Sequence, residues 1–356
     1  MSATAESGTL VLADLTGYTA YLSRSEIEHA PTIAGDLLET IVGRLEPPFR
    51  LAKLEGDAAF LYAEDGRADG SLQLDAVEAA YFAFRRRLRS IDTATSCDCN
   101  ACALAPRLDL KLFVHHGTFV RTRIAGRDEL AGPDVILAHR LLKGTTAADR
   151  GSGFGQFTAA AVAALGIRTD ELDMAMARES FDHVGDVDTF VMDLDARWTA
   201  ESDRRRMTIA DEAAIVDETV LIRADPADCW AHLTSPALRP LWEGPIVITE
   251  TSTGSRRGIG TTTQCVTGQL ATLEEIVDWQ PYDHAAWRLV VPGIGPVDVT
   301  ADLRPLDGGT SLRVRWAGSR DAVVAPDDLE RIRTERRASL HRLADILGRR
   351  IPSVGV

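Results

Sequence analysis

Two different hydrophobic periodicities lie on either side of a polar stretch at residues 195–210, and no single core accommodates both. Ahead of that stretch, short apolar runs with strand character alternate with runs of helical spacing. Residues 9–13 read as a strand ending at Asp14, residues 32–45 as an amphipathic helix, and residues 50–55 and 58–63 as two strands hinged at Gly56-Asp57. Residues 74–91 predict a helix with a basic end at Arg85-Arg86-Arg87, residues 108–114 a strand, and residues 134–142 a helix. An Ala-rich helix over 158–165 and a strand over 189–193 complete the half. Residues 151–155 read as a flexible loop, because no Lys-Ser or Lys-Thr follows their glycines to make a phosphate loop.

Behind the polar stretch, residues 215–223 alternate as a strand, and Asp225-Pro226 starts a helix with Asp as cap and Pro at the first helical position. Six further strands are predicted over 246–251, 261–267, 271–278, 285–291, 297–304 and 311–316. A helix from 327 to 348 closes the chain, its Leu329, Ile332, Leu340, Leu343 and Leu347 forming one stripe that faces a sheet. A chain of 356 residues has room for two cores. The expected fold class is α+β in two domains: residues 1–194 with a mostly antiparallel sheet and helices, a linker over 195–211, and residues 212–356 with a sheet wrapped around the long C-terminal helix.

A net charge of −14 argues against nucleic acid as a partner, since a binder must neutralise phosphates with clustered Lys and Arg, and it favours cations instead. Residues 1–8 are polar and the strand after them soon meets Asp14, so no signal peptide is expected. The longest nearly apolar stretch, 157–167, falls short of the roughly 20 residues a spanning helix needs. Five cysteines, three of them bunched, make no disulfide framework, and a reducing cytoplasm is the expected location.

Leu12-Ala13-Asp14-Leu15-Thr16-Gly17-Tyr18-Thr19 sets a carboxylate at a strand end, and Lys53-Leu54-Glu55-Gly56-Asp57-Ala58 sets another at a hairpin tip. Paired carboxylates converge from such positions, although Asp14 alone also suits a cap for the turn at Thr16, and Asp57 a Gly-Asp turn. Val114-His115-His116-Gly117 ends a strand, and Glu129-Leu130-Ala131-Gly132 leads to Ala138-His139-Arg140. In this order the four segments resemble the class III adenylyl and guanylyl cyclase homology domain over roughly residues 8–194. They look most like a bacterial branch in which a Cys cluster precedes the His-Gly strand. The resemblance implies that Asp14 and Asp57 hold Mg or Mn, that Lys53 and Glu129 read a purine, and that Arg140 stabilises charge in the transition state. It also implies a homodimer, because class III sites form between two subunits. Read singly, Lys53 and Glu129 suit solvated charges and Arg140 a surface helix residue.

Two positions depart from the family. Its Asn one turn before Arg140 is Ile136 here, and the alignment of Asp182-His183-Val184-Gly185 offers Val184 where cyclases often carry a Lys on the triphosphate. Such groups act on charge in the transition state, so their loss costs catalysis more than folding.

Cys97, Cys99 and Cys102 place three thiols within six residues, a density that suits zinc, with His115, His116, Asp98 or water as fourth ligand. A redox-sensitive loop or inert thiols fit the same spacing. Cys229 and Cys265 read as small hydrophobes. In the second half the element order, with Asp225-Pro226, Trp230, Leu233 and Trp242, resembles the helix-grip family that includes START-like lipid-binding domains and polyketide cyclases. The resemblance implies a cavity for an apolar or amphipathic ligand, with Trp242 and Trp287, and also Trp279 and Trp316, as candidate lining; the same spacings suit ordinary core. His232, His284 and His341 read as isolated residues. The expected function is binding of a purine nucleoside triphosphate, with weak or degenerate conversion of ATP to cyclic AMP, coupled to the C-terminal cavity. The alternatives are a non-catalytic ligand sensor and an aromatase/cyclase-type enzyme acting through the second domain.

Overall fold

The computed structural model describes residues 4–94, 99–124, 126–151, 153–203, 206–252, 256–268, 270–291, 295–318 and 326–348. It divides into two compact units, Met1–Arg204 and Arg205–Val356.

The first unit runs β1 (Ala5–Thr16), α1 (Tyr18–Arg24), α2 (Ala30–Leu45), β2 (Arg50–Glu55), β3 (Ala58–Glu64), α3 (Gly70–Ala94) and α4 (Asn100–Leu104). It continues through β4 (Asp109–Ile124), β5 (Arg127–Ala131), α5 (Pro133–Leu141), α6 (Thr145–Asp149), β6 (Phe154–Thr158), α7 (Ala159–Ala164), β7 (Ala175–Phe181), β8 (Gly185–Asp193) and α8 (Leu194–Asp203). The sheet order is β2-β3-β1-β4-β6-β8-β7, with β5 paired to the outer end of β4. Among the described residues of this unit, only the β4–β6 pairing is parallel. Alternation along β1 sends Leu10 and Leu12 to one face, where they join Phe60 and Phe113 under Val135, Ala138 and Leu141 of α5. Val11, Ala13 and Leu15 point the other way and are equally buried.

Three features differ from the sequence expectation. Residues 154 and 155, expected in a flexible loop, begin strand β6, every residue of it buried. Strands β5 and β7 were not anticipated. The expected linker begins as helix α8, because Trp198 is buried against Phe82 at a ring separation of 5.5 Å and beneath the guanidinium of Arg89. The residues after the division already belong to the second unit: the Met207 amide donates to Asp278 Oδ2 (2.8 Å), and Arg315 donates to the Ile209 carbonyl.

The second unit runs β9 (Val216–Ile222), α9 (Pro226–Thr234), α10 (Pro240–Glu243), β10 (Val247–Thr251), β11 (Thr262–Thr267), β12 (Leu270–Gln280), β13 (His284–Val291), β14 (Gly295–Leu306), β15 (Gly309–Gly318) and α11 (Pro326–Gly348). Its seven strands are antiparallel throughout, in the order β10-β11-β12-β13-β14-β15-β9. Ile332, Leu340, Leu343 and Leu347 of α11 are buried, as their spacing predicts. Asp225 occupies the N-cap of α9 without a side-chain cap bond; the start is set by Pro226, which has no N–H to leave unpaired.

His284 is not isolated. It is fully buried, its Nδ1 is 2.9 Å from Asp302 Oδ1, and its Nε2 stands 3.5 Å from Asp278 Oδ2. Burial pushes its pKa down, but the two carboxylates outweigh that and hold it above 6.5, while Asp278 and Asp302 are held below 3.8. A raised folded value means that the stabilisation from His284 is complete below pH 6.5 and is lost as pH rises through that value. The carboxylates act in the opposite sense, contributing above pH 3.8 and losing their contribution on further acidification. Denaturant unfolding at pH 6, read by tryptophan fluorescence, should show His284→Ala destabilised by about 3–5 kcal/mol, as for one partner removed from a buried ion pair. The gap should narrow as the pH is raised to 9, and a pH-independent gap would exclude a charged His284.

Candidate functional site

Asp14 lies in the last turn of β1, opposite Ala58 of β3 and Lys111 of β4. The Leu15 amide donates to the Asp57 carbonyl (3.1 Å), which draws the tip of the β2–β3 hairpin against the end of β1. The two carboxylates expected to act together are thus neighbours. Burial raises the Asp14 pKa, the negative charge of Asp57 raises it further, and the Lys111 ammonium opposes both. Lys111 is itself pushed down by burial, donates to the Ala147 carbonyl (2.8 Å), and lies over the ring of Phe154. Thr16, two residues after Asp14 and so on the same face of the strand, has a buried hydroxyl with no hydrogen-bond partner among the described residues. Gly17 follows at φ +87°, a left-handed conformation that turns the chain directly into α1 and that a side chain would strain.

Lys53 and Glu129 also meet. Lys53 Nζ lies 3.4 Å from Glu129 Oε2 and 2.7 Å from Glu55 Oε1, and the hydrogen bond to Glu55 is the main cause of its raised pKa. They border a cleft of about 590 Å³ that also includes Tyr62, Arg121 and Asp128. Strand pairing aligns Lys53 with Phe60 and Leu12, and Glu55 with Ala58 and Asp14, so both charge clusters occupy the sheet face that carries α5. His139 of α5 completes the group, its Nδ1 3.3 Å from Glu55 Oε2 and its ring packed on Phe60.

Arg140 joins neither pair. Its guanidinium donates to the Asp182 carbonyl, in the turn between β7 and β8, at the sheet edge opposite β2. Ile136, on the same helix, is 54% exposed, and Val184 in that turn is 41% exposed. Glu179 of β7 ties that strand to α6 and β6, its buried carboxylate accepting from the amides of Thr145 and Thr146 and from Gln156 Nε2.

The histidines expected near the cysteines are engaged elsewhere. His115 is buried with Nδ1 2.9 Å from Thr158 Oγ1 and Nε2 3.3 Å from Asp134 Oδ1, and His116 bonds Asp65. The Asp134 carboxylate also accepts from the Thr118 amide (2.7 Å), and a Cβ on Gly117 would stand 2.3 Å from it, which accounts for the glycine after the two histidines. The imidazole that does lie against a cysteine is His29, its Nδ1 3.3 Å from Cys99 Sγ. Cys97 and Asp98 lie outside the described residues.

In the second unit a cavity of about 90 Å³ is lined by Leu233, Trp242, Trp287, Val299, Trp316 and Leu340, among others. Trp279 does not line it; its ring meets Trp230 edge-on at 4.6 Å, within the core. Charged residues that sequence reading missed share the wall. Arg239 is buried between Glu243 (Nε–Oε1 2.6 Å) and Glu274 (Nη1–Oε2 2.7 Å). The i,i+4 spacing of Arg239 and Glu243 was visible, but nothing local pointed to Glu274, 35 residues on. Arg336 lies over Trp316 at 5.2 Å. The cavity is therefore an apolar pocket with a neutralised ionic patch in its wall.

Residues 34–150 match a family model described as a protein of unknown function (DUF2652), and residues 213–348 match one described as polyketide cyclase / dehydrase and lipid transport. An uncharacterized protein of Mycobacterium tuberculosis (strain ATCC 25618 / H37Rv) is 38% identical over 107 residues, 30% of this chain and 50% of that protein. The chain thus spans about half the length of the curated relative it matches. Among solved structures, the guanylyl cyclase Cya2 aligns at 14% identity and TM-score 0.41, covering 54% of this chain and 93% of that one. The adenylyl cyclase CyaB from P. aeruginosa aligns at 15% and 0.41, covering 58% and 100%. Protein CV1439 from Chromobacterium violaceum aligns at 20% and 0.32, covering 37% and 96%. The N-terminal unit is thus matched in part by the model of unknown function, and the C-terminal unit by the polyketide cyclase and lipid-transport model.

Proposed function

We propose that the N-terminal unit binds a purine nucleoside triphosphate with a divalent metal, turning ATP into cyclic AMP weakly or not at all, and that the C-terminal unit binds a small apolar or amphipathic ligand. The observation that carries this reading is Asp14 at the end of β1 beside the Asp57 charge at the hairpin tip, with the Thr16 hydroxyl on the same strand face and unpaired among the described residues. Hard oxygen donors of this kind fit Mg or Mn, and a divalent ion would offset the burial and the Asp57 charge that together raise the Asp14 pKa. Such an ion, when bound, supplies neutralisation of the polyphosphate charge. Lys53 offers a donor and Glu129 an acceptor to the edge of a purine, in a cleft whose volume lies within the usual range of ligand sites. In a homodimer the same surface of a second copy would complete the site.

A non-catalytic reading of this nucleotide site has specific support. The apolar Ile136 offers no hydrogen bond to a ribose, and the Arg140 guanidinium is already engaged by the Asp182 carbonyl. Binding with little turnover is what this combination favours.

Calorimetry with ATP and Mn should show binding that Asp14→Ala and Asp57→Ala each abolish. Unchanged affinity in the double variant would sink the metal assignment. If the remaining machinery is intact, Ile136→Asn should raise cyclic AMP formation, measured by mass spectrometry, by roughly 10- to 1,000-fold, the worth of one well-placed donor. Vigorous turnover by the unmodified protein would show instead that another group does that work. For the second unit, native mass spectrometry of the full chain should reveal a retained apolar molecule, or a fatty-acid titration should quench tryptophan fluorescence. If both come back empty, the ligand-binding role has no support.

A further inference from the structure

The cysteine segment and the connection between α1 and α2 are far apart in sequence and are brought together by helix packing. Cys99 is the N-cap of α4, and its Sγ accepts from the Cys102 amide at 3.4 Å, which turns both sulfurs to the same end of the helix. Glu26 fixes that end independently: its carboxylate accepts from the amides of Asn100 (3.1 Å) and Ala101 (3.0 Å). Three residues further on, His29 brings Nδ1 to 3.3 Å from Cys99 Sγ. The ligand atoms of His29, Cys99 and Cys102 all lie within 4.8 Å of one another. Around a tetrahedral zinc, bonds of about 2.3 Å to sulfur and 2.0 Å to nitrogen separate neighbouring ligand atoms by about 3.6–3.8 Å, so shifts of about an ångström would close the shell.

A second observation points to the same place. Tyr21 of α1 is buried against Cys102 and Cys99, and its hydroxyl has no hydrogen-bond partner among the described residues. A buried phenol normally finds an acceptor, and a metal-bound thiolate is a strong one.

We propose that His29, Cys99 and Cys102 form a transition-metal site, suited to zinc, with the Tyr21 hydroxyl as an outer hydrogen-bond donor to the thiolates. Two soft thiolates and an imidazole select zinc over the hard cations that suit Asp14 and Asp57. His29 is exposed, so the three ligand atoms lie at the surface of the unit. The site does not depend on nucleotide binding. Its role is mechanical: it ties the start of α2 to the start of α4 through bonds that packing alone does not provide.

The test uses the full chain purified reduced and without chelators. Elemental analysis should give about one zinc per chain, and cobalt replacement should give thiolate-to-metal charge-transfer bands with tetrahedral d–d transitions. His29→Ala should weaken metal affinity by more than about 100-fold, beyond the usual cost of an outer-shell change, and Tyr21→Phe by roughly 10-fold. His29→Cys should restore the affinity that His29→Ala loses, which a packing role would not explain. His29 is exposed and Tyr21→Phe removes only a hydroxyl from a buried ring, so these substitutions leave the core packed, and far-UV circular dichroism checks that. The proposal is overturned if the reduced protein binds neither zinc nor cobalt, if His29→Ala keeps its full metal complement, or if Cys99 and Cys102 form a reversible disulfide and no metal binds.

Discussion

The ladder between β1 and β4 organises the first unit. Twelve consecutive residue pairs, from Ala5 opposite Val120 to Thr16 opposite Asp109, fix both the register and the face on which each side chain emerges. That register sets Asp14 beside Lys111 and, through β3, in line with Glu55. A slip of one residue would turn Leu10 and Leu12 away from α5 and Asp14 away from the hairpin tip, so the core and the carboxylate pair are specified together. Burial of both faces of β1 makes the slip costly, and the acidic site inherits that precision.

Charged side chains with several partners recur where separate elements must be held together. Glu179 neutralises the start of α6, Asp134 holds the Thr118 amide and His115, and Arg239 sits between two glutamates beside an apolar cavity. Each group is hydrogen-bonded, which offsets the cost of taking it out of water. Removing one member leaves its partner exposed to that cost, so these clusters define geometry more than they add stability.

Much of the architecture was legible because strands with one buried face alternate and long amphipathic helices repeat at helical spacing. The six strands after α10 and the stripe on α11 are of this kind. Strand β6 was not legible: buried on both faces, it has no alternation, and the glycines beside it suggested a loop. Helix α8 was hidden by its polarity, its place being set by the single large anchor Trp198. At the candidate site, Asp14, Asp57, Lys53 and Glu129 could be found because ordered motifs carried them. His29 could not, because its 70-residue separation from Cys99 is closed only by the packing of helices. The same holds for Glu274 and Arg239, which meet across a strand and a helix.

The cavity of the second unit has about 90 Å³, well below the several hundred that a typical organic ligand fills. If this unit takes up such a molecule, the tryptophans and α11 must give way on entry, and the cost of that opening comes out of the affinity. Affinity then reports the product of intrinsic contact and the fraction of chains already open. Substitutions that loosen the helix without touching the ligand would tighten binding, and the on-rate, limited by opening, would saturate with concentration.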